Sequence, residues 1–114
     1  MNRLVVTANA SPLFGDFLML VSVSAAADGS PIQNLKPKHF LVHHLASFNH
    51  AGNEPRTVIK ADEGPPGFYI LSLELNKTQT NLPSGHYVFA VAVTSTSKRA
   101  IVGRGQTVAV GDMP

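Results

Sequence analysis

The chain has 114 residues, 44% of them apolar and 14% charged, a balance opposite to that of disordered segments and sized for one domain spanning 1–114. It has no cysteine, which excludes disulfides, thiol chemistry and thiolate-ligated metals. The formal charge is +2, and the nine Lys and Arg are scattered rather than striped, so no nucleic-acid partner is expected.

Short apolar runs with a period of two, rich in Val, Phe, Tyr and Thr, alternate with clusters of Gly, Pro, Asn, Asp and Ser. The first are strands and the second turns. The first run covers residues 3–8 and is broken by Ser11-Pro12. The second covers 17–25, with Phe17, Met19, Val21 and Val23 on one face, and ends at Asp28-Gly29-Ser30-Pro31. Residues 17–27 resemble the apolar region of a targeting signal, but Asp16 precedes them directly and Arg3 is the only upstream positive charge. They read as a core strand, and whether 1–27 is ever processed stays open.

A short turn is expected within 35–40, limited by Pro37. The third strand, 39–48, places Phe40, Val42, His44, Ala46 and Phe48 on one face. A polar loop is expected over 49–55, then a short edge strand over 56–60 flanked by charge. Gly64-Pro65-Pro66 leads to the fifth strand, 67–75, with Tyr69, Leu71, Leu73 and Leu75 inward. The sixth, 86–95, turns Tyr87, Phe89, Val91 and Val93 inward, and the last runs from 99 to 110. No run reaches the roughly 20 apolar residues of a membrane-spanning helix. The lack of cysteine suits the cytoplasm first, and periplasmic or cell-surface domains without disulfides as well.

Candidate chemistry is sparse. His39, His43, His44 and His50 crowd one stretch. On a strand, however, His43 and His44 point to opposite faces, while His39 and His43 stand roughly 13 Å apart at ~3.3 Å per residue. A zinc ion holds its nitrogens at ~2.1 Å, so one strand cannot supply the site. Asp62-Glu63 beside a Gly-Pro turn suggests calcium, but too few oxygen ligands lie near in sequence for the roughly 6–8 that calcium takes. There is no Gly-x-Ser-x-Gly elbow, and Gly103-x-Gly105 lacks the third glycine of a dinucleotide loop. Neither catalysis nor a cofactor is expected. Asn76-Lys77-Thr78 matches a glycosylation acceptor and is treated as a chance match.

Three stretches carry a resemblance. Val21-Ser22-Val23 with the turn at Asp28-Gly29 and the apolar Ile32 and Leu35 resembles the strand-turn-strand opening of many adhesin modules. Leu82-Pro83-Ser84-Gly85-His86-Tyr87 is similar to a tyrosine corner, which implies a buried Tyr87 ring with its hydroxyl bonded to nearby backbone. Gly103-Arg104-Gly105, leading into Gln106-Thr107-Val108, resembles a final strand in which Gly103 and Gly105 permit a bulge. Together they resemble immunoglobulin-like domains of the bacterial and fibronectin type III-like kinds. The resemblance implies an all-β, two-sheet sandwich of about seven antiparallel strands. The antibody-type Cys pair and core Trp are absent.

Such a fold does not fix a function. The expectation is a non-catalytic binding or structural module with a protein partner or a second copy as a homodimer. Its candidate surface residues are Leu41, Leu45, Phe68 and Ile70, apolar residues that face away from the inward series on their strands, and the two pairs belong to strands that in a sandwich usually lie in different layers, which allows two separate patches. The alternative is an accessory domain for carbohydrate or another small molecule, using the 49–55 loop.

Overall fold

Seven β-strands and one short 3-10 turn make up the described part of the computed structural model, which covers residues 2–13, 16–47, 50–74, 85–98 and 100–113. The strands are β1 (Asn2–Leu13), β2 (Asp16–Ala25), β3 (Phe40–Ser47), β4 (His50–Glu63), β5 (Phe68–Glu74), β6 (Gly85–Ser97) and β7 (Ala100–Met113), with the 3-10 turn at Pro37–His39. They run side by side in the order β1-β2-β5-β4-β3-β6-β7, and the sheet closes into a barrel where β1 meets β7. That closing pair is parallel and short, joining Asn2 to Gly103 and Arg3 to Arg104. Every other neighbouring pair is antiparallel.

Period-two alternation builds the core directly. Leu4 and Val6, Met19, Val21 and Val23, Phe40 and Val42, Tyr69, Leu71 and Leu73, and Tyr87, Phe89, Val91 and Val93 are all buried inside the barrel. Each large apolar side chain so placed is worth roughly 1.5–3 kcal/mol relative to exposure. Phe40 meets the Tyr69 ring edge-on at 5.3 Å, which ties β3 to β5 across the interior. Leu35 is buried and Ile32 packs against the same core, so the loop before the 3-10 turn seals one end.

Two elements differ from the sequence expectation. Ser11-Pro12 does not end β1, because Pro12 faces Phe17 and Leu13 faces Asp16 in the β2 ladder. Proline, which cannot donate to a ladder, sits here at the far end of the strand. The 49–55 region is not a loop over the residues described: 50–55 belong to β4, with His50 opposite Ser47, Glu54 opposite His44 and Pro55 opposite His43. Pairing with β3 overrides the low strand propensity of Gly, Asn and Pro, since propensity is a weak term beside cross-strand partners. β4 is accordingly not a short edge strand, because it pairs with both β3 and β5. Asn49 lies outside the described residues.

The barrel seam rests on glycine. Gly103 and Gly111 are buried, and Gly105 is half-buried. A Cβ on Gly105 would run into the Leu4 carbonyl, and one on Gly111 would lie 2.6 Å from the Ala10 Cβ. The β1 backbone therefore lies directly on β7. The register of β6 against β7 shifts beside Gly103, passing from Ser95–Gly103 to Thr96–Ile101 and skipping Val102. The bulge is thus at Val102, and Gly105 serves the close approach instead.

Candidate functional site

Leu41 and Leu45 lie on one outer surface and Phe68 and Ile70 on another; the fold does not bring the four together. On the outer side of β3, β6 and β7, Leu41 pairs with Ala92 and His43 with Ala90. Beyond β6, Ala92 meets Gln106, Ala90 meets Val108 and Val88 meets Val110. Leu41 and Val108 are each 55% exposed and Val110 60%. The alanines of the central strand are shorter than their neighbours. The face therefore carries a trough of about 440 Å³, walled by Leu41 and Leu45 on one side and Val108 on the other. Among the described residues that line it there is no Lys, Arg, Asp or Glu.

The second surface covers β1, β2 and β5. Leu20 pairs with Ile70 and Ser22 with Phe68, while Asn9 and Thr7 stand opposite Leu20 and Ser22 on β1. Phe68 is 56% exposed and Ile70 43%. Each apolar group has a polar neighbour, and the Thr7 and Ser22 hydroxyls are hydrogen-bonded to each other. Between the two surfaces runs the outer edge of β4, where Lys60 and Asp62 form an ion pair at 3.3 Å.

One end of the barrel holds a polar knot. The Tyr69 hydroxyl donates to the Ile32 carbonyl at 2.6 Å and accepts from the Leu35 N–H at 3.2 Å. Burial pushes its phenol up, so it remains a donor at neutral pH. Glu63 accepts the Gly67 N–H at 2.9 Å with one carboxylate oxygen and the Asn34 N–H at 3.0 Å with the other. The Gly67 bond, followed by the Asn34 bond, holds this carboxyl below its ordinary value. Asn34 sits in the left-handed region, φ 63°, a conformation in which its N–H reaches that carboxylate.

Of the two acidic residues considered for calcium, Glu63 is thus committed to backbone and Asp62 to its ion pair with Lys60. Asp28 caps its own turn by accepting the Ser30 N–H at 3.0 Å and the Ser30 hydroxyl at 2.7 Å, and the first of these chiefly lowers its pKa. His39 is equally occupied. Its Nδ1 accepts the Lys36 N–H at 2.8 Å and its Nε2 lies 3.1 Å from the Thr96 hydroxyl. Desolvation, then the Lys38 charge, lowers its pKa and favours the neutral ring these bonds require. Among the described residues no three His, Asp or Glu side chains converge as metal ligands.

The Tyr87 ring is buried and stacks on Phe89 at 6.3 Å. The segment before it, 75–84, including Leu75 and Asn76-Lys77-Thr78, lies outside the described residues. Sequence reasoning missed Val88, Ala90, Ala92, Val108 and Val110. Alternation with Tyr87, Phe89, Val91, Val93 and Ala109 assigns them outward, but only the β3-β6-β7 pairing makes them one face. It also missed Tyr69 as the tyrosine that ties loop backbone to the core.

Comparison with protein-family models, with curated proteins and with solved structures finds no match.

Proposed function

We propose that this chain is a non-catalytic, immunoglobulin-like module that associates with a second copy of itself through the outer face of β3, β6 and β7. The strand order supports the fold reading. β1-β2-β5-β4 and β3-β6-β7 follow the two strand sets of an immunoglobulin sandwich, with the parallel contact between first and last strands at one edge.

The trough over Ala90 and Ala92 carries the functional reading. It is a concave strip of small residues flanked by ridges of Leu and Val, and it extends over three strands without a fixed charge. Contiguous apolar surface of this kind marks an interaction site. A second copy is the occupant because the face is self-complementary: the Leu41–Leu45 ridge of one chain matches the alanine trough of the other in a two-fold arrangement. A formal charge of only +2 opposes such pairing weakly.

Sedimentation velocity at micromolar concentration tests the proposal. Wild type is expected to show a concentration-dependent monomer–dimer equilibrium, and Ala90→Arg a monomer with unchanged melting temperature. A wild type that stays monomeric up to millimolar concentration contradicts it.

A further inference from the structure

A second site lies at the barrel seam, at the end of the apolar face. Arg3 and Arg104 are direct partners in the parallel β1–β7 pair, so their side chains leave the same side of adjacent strands about 4.8 Å apart. Both are exposed, and Thr94 extends the row as the partner of Arg104 on β6. Like charges directly opposite each other across a ladder are destabilising. Neither guanidinium has a carboxylate or hydrogen-bond partner among the described residues. Asp28, which follows the β2 strand paired with β1, is committed to Ser30.

Beside the two arginines the β1–β7 ladder stops and the surface opens into a cleft of about 630 Å³. Its polar groups are the two guanidinia, the Thr94 hydroxyl and the Gln106 amide, and Val5 and Ala92 supply apolar wall. All four polar side chains can donate hydrogen bonds, and none is anionic.

We infer that this cleft binds an oxyanion, a carboxylate or phosphate carried on a small ligand, through Arg3 and Arg104 together. The anion neutralises the like-charge pair and accepts from both planar forks, the arrangement in which arginine exceeds lysine. Thr94 and Gln106 complete the donor set, and the apolar wall takes the body of the ligand. The cleft adjoins the β3-β6-β7 face proposed for self-association and shares Ala92 and Gln106 with its trough, but its two charged groups, Arg3 and Arg104, lie outside that trough.

The test is an NMR titration with inorganic phosphate and, separately, with benzoate, at constant ionic strength with sodium chloride as the reference. Saturable shifts of the Arg3 and Arg104 Nε–H and of the Gln106 side-chain amide are expected with at least one anion. Arg104→Gln and Arg3→Gln should each weaken that binding about tenfold or more, as loss of a charge-assisted pair of bonds does. Lys36→Gln, which removes the same charge outside the cleft, should leave it unchanged. Tighter binding of benzoate assigns a carboxylate with an apolar body, and tighter binding of phosphate assigns a phosphate ester. Shifts that rise linearly without saturation, or that survive either arginine variant, overturn the site. Both arginines are exposed, so the variants are expected to fold, and their spectra report this in the same experiment.

Discussion

The outer face of β3, β6 and β7 and that of β1, β2 and β5 come from the same alternating strands, yet they handle water differently. On the second face, Thr7 and Ser22 share a hydrogen bond beside Phe68, and Asn9 stands across from Leu20. These polar groups flank a smaller apolar cluster, Leu20, Phe68 and Ile70, around a hollow of about 310 Å³. On the first face, Ala90, Ala92, Val88, Val108 and Val110 adjoin one another, and Gln106, opposite Ala92, is the amide that lines the trough with them. The lesson is that exposure of one large side chain says little: Phe68 is as exposed as Leu41, and only the neighbours differ.

The two surfaces lie on one fold, so perturbing the fold and perturbing a face must give different results. The largest effect is expected at the seam. Gly105→Ala forces a methyl against the Leu4 carbonyl and should lower stability by about 3 kcal/mol, at the upper end of ordinary overpacking. Urea denaturation checks this; an unchanged midpoint would mean β1 does not lie on β7 as described.

Next comes the knot. Tyr69→Phe keeps the ring but strands the Leu35 N–H and the Ile32 carbonyl, a loss of about 1–3 kcal/mol. The sealed end should open, and hydrogen exchange at Leu35 should quicken, while self-association stays intact.

Acid should act on the same end in two steps. His39 and Glu63 both have folded values below their ordinary ones, so each contributes stability that is present above its unfolded value and lost as pH falls through the folded one. His39 begins to tell below its ordinary 6.5 and Glu63 below its ordinary 4.5. Denaturation midpoints measured against pH should fall in that order. Glu63→Gln should flatten the lower step and leave the upper one.

The smallest effect belongs to the second face. Phe68→Ser should change stability by no more than about 0.5 kcal/mol and leave sedimentation as in wild type. Dimer loss in that variant would move the interface to β1, β2 and β5.

Much of the core is legible in the sequence. Each inward series, from Met19-Val21-Val23 to Tyr87-Phe89-Val91-Val93, follows from alternation because the barrel has a single dry interior. What alternation cannot give is which strands are neighbours. Leu41 and Phe68 look equivalent along the chain; β3 lying beside alanine-bearing β6, and β5 beside serine-bearing β2, separates them. The strand character of 50–55 was hidden for a related reason, since those polar residues take their conformation from β3. Tyr69 is assigned inward by alternation, but the bonds of its hydroxyl are not, because their partners, Ile32 and Leu35, are more than thirty residues away in sequence.

The central claim, that the face over Ala90 joins two copies, is tested most directly by dilution. Amide spectra recorded from millimolar to micromolar concentration should show saturable shifts at Ala90, Ala92 and Val108, with Leu20, Phe68 and Ile70 unmoved. Spectra that do not depend on concentration, or shifts confined to the β2–β5 residues, would contradict it.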